Sequence, residues 1–154
     1  MTDFDRTDAR LLSALCERPR ATGVELAGLI EVSRNTVQSR LERWHRDGTL
    51  DGFDRRIPPR HLGLPLLAFV LTTVDQRRLA EVTDRLETIP EVVEVIGLSG
   101  PVDLLIRVVA ADTDDLYRVA GLLLGIDGVE RTNVSLAMQE LVPYRIRQLL
   151  DHAE

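Results

Sequence analysis

The residue pair that most limits what this chain can fold into is Pro58-Pro59. Two consecutive prolines remove two backbone donors and fix φ, so a helix cannot pass through them and a sheet interior cannot hold them. They also mark a change of period. Before them, apolar residues recur at three- and four-residue spacing; after them, they alternate or run in short blocks. A chain of 154 residues interrupted here is long enough for two small domains. A helical domain is expected at 1–57, a rigid hinge at 58–63 and a second domain at 64–154.

Three helices are expected before the hinge. Thr7–Glu17 carries Leu11, Leu12 and Leu15 on one side, has Asp5, Thr7 and Asp8 as cap and first-turn acids, and ends at Arg18-Pro19-Arg20. Gly23–Ile30 offers Val24, Leu26, Ala27 and Ile30 for packing, and Ala27 is small enough to let another helix come close. Only Glu31-Val32 separates it from a third helix, Ser33–Arg46. Two helices joined by so short a turn cross steeply, which is helix-turn-helix geometry. Glu31 stands where such turns often have Gly, so a positive φ there carries strain. In the third helix Val37, Leu41 and Trp44 recur at i, i+4 and i+7, Ser33 sits at the N-cap position, and Asp47-Gly48 closes the C-terminus. Thr49–Ile57, with Phe53, Arg55, Arg56 and Ile57, reads as a small strand or wing.

The remaining faces of the third helix carry the chemistry. A solvated surface helix is the plain alternative, since charged faces are common. Its neighbours favour a recognition helix. Arg34, Asn35, Gln38 and Ser39, near its N-terminal end and away from the apolar stripe, are candidates for base-edge contact, and Arg, Asn and Gln have the donor and acceptor pairs for it. Thr36, Arg40 and Arg43, with Arg55 and Arg56 on the wing, are candidates for the DNA backbone, and the N-cap residue Ser33 is a further candidate for DNA contact. For Arg40 the alternative is an internal pair with Glu42 or an acid of another helix. Charge is split along the chain. Residues 1–60 hold 11 Arg against 10 acids, a net of +1, and 61–154 hold 8 against 15, a net of −7. Within 34–60 there are 7 Arg and 4 acids, a net of +3. That asymmetry fits an N-terminal part that meets a polyanion, whatever the overall charge.

After the hinge, Leu64–Val74 reads as a strand buried on both faces, Gln76–Thr88 as a helix, and Val92–Leu98 and Val102–Ala110 as strands joined by Ser99-Gly100-Pro101. Thr113–Leu124 is a second helix and Val129–Leu141 a fourth strand, with a tail helix at Arg145–His152. The order βαββαβ is the ferredoxin-like arrangement. The fold class expected is therefore α+β: a winged helix-turn-helix domain followed by a ferredoxin-like domain.

No run reaches the length of a membrane span, and the charged start MTDFDRTDAR lacks the apolar core of a signal peptide. The single cysteine, Cys16, reads as a small buried helix residue. A folded, soluble, cytoplasmic protein is expected. His45, His61 and His152 do not cluster, and no metal-ligand spacing such as HEXXH or CxxC is present, so neither a metal nor another cofactor is expected.

Four stretches together resemble the Lrp/AsnC family of prokaryotic transcriptional regulators: FDRTDARLLSAL at the start, VSRNTVQSRLERWHRDGTLDGF through the recognition helix and wing, IPPRHLG at the hinge, and LSGPVDLLIRV in the second half. The resemblance implies a sequence-specific DNA-binding regulator that is not an enzyme. It implies a homodimer formed through the sheets, assembling to a tetramer or octamer, on a pseudo-palindromic site in double-stranded DNA. It also implies an effector, an amino acid or related metabolite, held near the turn between the second and third strands. The family's G-x-x-D turn falls on Gly100 and Asp103, so Ser99, Gly100, Pro101 and Asp103 are the implied effector residues. Two positions depart from the family's habit: Pro101 replaces an acidic or amide residue, and Leu104 an aromatic. For Gly100-Pro101 a plain hairpin turn is the alternative, and for Asp103 a hydrogen bond within the turn. Two other functions are compatible with parts of the sequence. The sirohaem decarboxylases resemble the same architecture, and an assembly module whose helix-turn-helix no longer binds DNA would suit the Glu31 turn and the acidic total.

Overall fold

The computed structural model describes residues 4–50 and 57–150. The chain forms two compact units, Met1–Phe53 with Val142–Glu154, and Asp54–Leu141.

The first unit is helical. Helix α1 (Arg6–Glu17), α2 (Gly23–Ile30) and α3 (Arg34–Arg46) enclose a core of Leu11, Ala14, Leu26, Ala27, Ile30, Val37 and Trp44. Trp44 is fully buried, with the Phe4 ring 6.0 Å away. Val24, expected to pack, is 61% exposed. It stands in the first turn of α2, and the buried stripe of that helix is Leu26, Ala27 and Ile30. Cys16, expected to be buried, is exposed in the last turn of α1. Helix α2 ends at Glu31, whose φ of 58° and ψ of 48° are left-handed, and Val32 N–H returns to the Ala27 carbonyl. The expected strain at this turn is present, since an L side chain there costs roughly 1–2 kcal/mol relative to glycine. At the far end of α3, Gly48 takes φ 66° and Thr49 N–H bonds to the Trp44 carbonyl, closing the helix in the Schellman manner. The wing expected over Thr49–Ile57, including Arg55 and Arg56, falls mostly at 51–56, outside the described residues.

The tail packs with this helical unit and not, as expected, with the second domain. Its helix α6 (Arg147–Leu150) is paired to α1 by Arg147 and Glu17, and Leu150 borders a groove with Ala14 of α1 and Ile30 of α2.

An ion cluster fixes α1 to α3. Asp5 and Asp8 form a capping box, with Asp8 N–H to Asp5 Oδ1 at 2.8 Å and Asp5 N–H to Asp8 Oδ2 at 3.1 Å. Asp8 is only 1% exposed. Arg40 grips both Asp5 oxygens, at 3.0 and 2.8 Å, and also pairs with Asp8, while Arg43 reaches Asp8 Oδ1 at 2.9 Å. Two cations thus answer one buried carboxylate, which would otherwise be strongly unfavourable.

The second unit begins with a 3-10 turn, Pro59–Leu62. Strands β1 (Leu66–Val74), β2 (Val92–Gly97), β3 (Leu104–Ala110) and β4 (Val129–Leu136) form one antiparallel sheet in the order β2-β3-β1-β4. Helices α4 (Leu79–Glu87) and α5 (Thr113–Leu124) complete the βαββαβ order, which is the expected fold class. Both helices cover the same face: Val82, Leu86, Leu116, Val119 and Leu123 pack on Ala68, Val70, Ile106 and Val108. Strand β1 therefore alternates instead of being buried on both faces. Leu67, Phe69 and Leu71 point to the other side, where the register sets them beside Val109, Arg107 and Leu105. Strand β4 stops at Leu136, short of the expected Leu141.

The Arg40 guanidinium holds the Asp5 carboxyl down from 3.8 to about 2. A carboxyl whose folded-state value is depressed stabilises the fold above its ordinary value and loses that effect as pH falls through the folded one. Asp5→Asn keeps a capping side chain but not the charge, and is expected to lower the melting temperature at pH 7 by about 2–4 °C. Melts by circular dichroism are expected to show this gap narrowing below 3.8 and closing at about pH 2.

Candidate nucleic-acid interface and effector turn

Helix α3 is set by its ends and its inner face. Ser33 accepts the Thr36 N–H at 3.0 Å and shares a hydroxyl hydrogen bond with Thr36 Oγ1 at 2.8 Å. The cap starts the helix soon after the Glu31 turn, and Ser33, Arg34 and Asn35 in its first turn are exposed. Val37 and Trp44 are buried beneath it. At 100° per residue, Asn35, Ser39, Glu42 and Arg46 lie opposite that stripe with Gln38 on its flank, and all five are exposed.

Of the sequence candidates, Arg34, Asn35, Gln38 and Ser39 share this exposed N-terminal region, together with the capping pair Ser33 and Thr36, of which Ser33 is exposed and Thr36 half-buried. Ser39 Oγ donates to the Thr36 carbonyl at 3.1 Å. Arg40 and Arg43 are placed differently. Arg40, with its side chain 18% exposed, turns back to Asp5 and Asp8, and Arg43 turns to Asp8. The sequence alternative, pairing with an acid of another helix, is what Arg40 does, and the acids around it raise its affinity for its proton. Arg55 and Arg56 lie outside the described residues. One residue was missed. Glu42, considered only as a partner for Arg40, instead accepts from Gln38 Nε2 at 3.0 Å. The signal was the i, i+4 spacing of Gln38 and Glu42.

The second candidate region is the turn from β2 to β3. Ser99, Gly100 and Pro101 are exposed, and Gly100 has φ 133°, open to glycine alone. Asp103 is half-buried and holds the turn to the end of β1. Its Oδ2 accepts the Val74 N–H at 2.9 Å, its Oδ1 accepts from Gln76 Nε2 at 2.6 Å, and its own N–H donates to the Thr72 carbonyl at 3.0 Å. Leu98 N–H closes the turn on the Asp103 carbonyl at 2.7 Å. Leu104, next along, is buried in the core. The carboxylate is thus committed on both oxygens to shaping the turn, which leaves the exposed rim at Ser99, Gly100 and Pro101.

The arrangement was compared with known proteins. A family model for the Lrp/AsnC ligand binding domain matches residues 67–146, and one for the AsnC-type helix-turn-helix domain matches residues 4–44. The chain is 30% identical to the proline dehydrogenase transcriptional activator of Rhodobacter capsulatus, over 92% of this chain and 96% of that one. It is 26% identical to the HTH-type transcriptional regulator FL11 of Pyrococcus horikoshii, over 88% and 90%. The solved structure of E. coli AsnC superposes with a TM-score of 0.82 at 25% identity, covering 94% of this chain and 98% of that chain. A feast or famine regulatory protein of M. tuberculosis, solved in complex with L-methionine, superposes with a TM-score of 0.80 at 29% identity, over 92% and 97%. Among the described residues no helix is long and apolar enough to cross a membrane. A helix-turn-helix that matches the AsnC-type domain, joined to a βαββαβ unit that matches the Lrp/AsnC ligand binding domain along its length, is a DNA-binding transcriptional regulator and not an enzyme: the chain belongs to the Lrp/AsnC family.

Proposed function

We propose that this regulator reads a pseudo-palindromic operator as a homodimer in the cytoplasm, through Arg34, Asn35, Gln38 and Ser39 of α3. The observation that carries the reading is the exposed N-terminal half of α3, held rigid by the Ser33 cap and the Trp44 anchor. Ser33, Thr36 and the positive end of the helix suit a phosphate, and Arg55 and Arg56 suit flanking phosphates. Arg40 and Arg43 serve by fixing the angle of α3. Two helices related by a dimer axis would enter half-sites about one helical turn apart.

The open sheet face supports the dimer. Leu67, Phe69, Leu71, Leu105 and Ile96 line it on one side of a two-layer unit, and a partly apolar sheet face of this kind is covered by another layer in stable proteins. A second copy supplies that layer, and dimers join further into tetramers or octamers. The effector is an amino acid or related metabolite at the rim of Ser99, Gly100 and Pro101, as the L-methionine complex of a relative suggests. Pro101 brings neither a carboxylate nor a backbone N–H to that rim, so the ligand's ammonium must find its acceptors elsewhere, among carbonyls of the turn or of a neighbouring copy.

Arg34→Ala is expected to leave the melting temperature unchanged and to lose about 1–3 kcal/mol of base discrimination at one operator position, read by gel shift on a series of operator variants. Arg40→Ala is expected to lower the melting temperature first, because it leaves Asp8 with one cation. Equal melting temperatures for the two variants would remove the distinction between base contact and clamp. Phe69→Glu is expected to convert the assembly to monomers in sedimentation equilibrium, and an unchanged mass would rule out the sheet-face dimer. A thermal-shift screen against amino acids is expected to find a ligand that raises the melting point by several degrees at about 100 times its Kd, where binding contributes roughly 2.7 kcal/mol. Asp103→Ala is expected to abolish that shift while the unliganded protein remains folded.

A further inference from the structure

We infer that Glu42 is a specificity-determining residue that acts through Gln38, holding its amide so that α3 presents one donor and one acceptor to the major groove. The pair then selects adenine and rejects guanine at the base pair that Gln38 meets. The inference rests on α3 reading DNA as proposed above.

The geometry is simple. Glu42 lies one helical turn beyond Gln38 on the exposed side of α3, and its Oε1 is 3.0 Å from Gln38 Nε2. An ionised carboxylate only accepts, so the amide atom turned towards it must be the nitrogen. This removes the freedom of the amide to flip, which an exposed glutamine otherwise keeps. One N–H is spent on Glu42; one N–H and the carbonyl oxygen are left. Adenine offers an acceptor at N7 and a donor at N6, which match that remaining pair. Guanine offers two acceptors, N7 and O6, which need two donors, and Gln38 has only one to give while Glu42 holds it.

The charge acts in the same direction. Arg43, the neighbouring cation, is committed to Asp8, and the Glu42 carboxylate stands on the stripe opposite Val37 and Trp44 between Ser39 and Arg46. A negative group there faces DNA phosphates and the acceptor-rich guanine edge. It therefore weakens binding on every sequence and weakens it most where guanine would be read, which is discrimination by repulsion as well as by fit.

The test is selection of binding sites from random duplex DNA by the full chain, at one salt concentration, for wild type, Gln38→Ala, Glu42→Ala and Glu42→Gln. Gln38→Ala identifies the base pair, as the position where preference is lost. Wild type is expected to favour adenine over guanine there by about tenfold, in the range of one good bidentate contact. Glu42→Ala is expected to bring that ratio to within about twofold, leave the other positions unchanged and bind more tightly on average. Glu42→Gln, which can still accept from Gln38 but has no charge, is expected to raise average affinity while keeping more of the adenine preference than Glu42→Ala. All variants should melt within a few degrees of wild type, because both residues are exposed. A wild type that selects guanine at that pair, or a Glu42→Ala variant with the same adenine-to-guanine ratio as wild type, overturns the inference alone. A wild type that selects no sequence overturns the DNA reading and this inference with it.

Discussion

Asp8 is a buried carboxylate near the start of the chain, and the geometry of the DNA-reading unit depends on how its charge is met. It caps the Asp5 N–H, and it takes Arg40 and Arg43 from α3. Those residues are 32 and 35 positions away in sequence, so their contact defines where α3 lies against α1. The arrangement is stiff for two reasons. The Arg40 fork engages Asp5 at two points and so resists rotation. Moving α3 outward would also strip a buried carboxylate of its cations, which costs far more than an exposed pair gains. The hydrophobic core beneath includes the fully buried Trp44, and burial of apolar area is the dominant favourable term in folding. The ion cluster supplies direction, and a recognition helix needs direction because base-edge hydrogen bonds tolerate little misplacement.

The sheet unit works by a different asymmetry. Two helices on one face leave the other face partly apolar, with Phe69 near its middle and the Arg107–Glu94 pair beside it. The turn after β2 stands at an end of this sheet and is moulded by Asp103, whose carboxylate ties it to Val74 and Gln76. A ligand at Ser99–Pro101 would thus press on a turn directly hydrogen-bonded to the central strand β1, so a small displacement there is passed to the strand that carries Phe69. In the proposed assembly this connects effector binding to the packing between copies.

Much was legible without coordinates. Helices α2 and α5 begin and end where their caps and periodicity place them. Local signals sufficed there, because capping and apolar spacing act within a few residues. The errors share one cause. Val24 satisfies the helical period and yet is exposed, because among the described residues no neighbouring element covers it in the first turn of α2. Strand β1 looks apolar throughout, yet which of its faces is covered depends on where α4 and α5 cross. Arg40 and Arg43 look like phosphate ligands on a helical wheel, and only the approach of α1 turns them inward.

The element order, the helix-turn-helix, the ferredoxin-like domain and the candidate base-reading residues of α3 are legible in the chain alone, since each of these follows from local period, caps and breakers. Tertiary structure decided which polar side chains remain available. Arg40 and Arg43 were withdrawn by Asp5 and Asp8, Asp103 was committed to the turn, and the tail was laid against α1. The physical reason is that a charged side chain takes the nearest opposite charge or hydrogen-bond donor in space. For all of these except the short-range Gln38–Glu42 contact, that neighbour is far away in the chain.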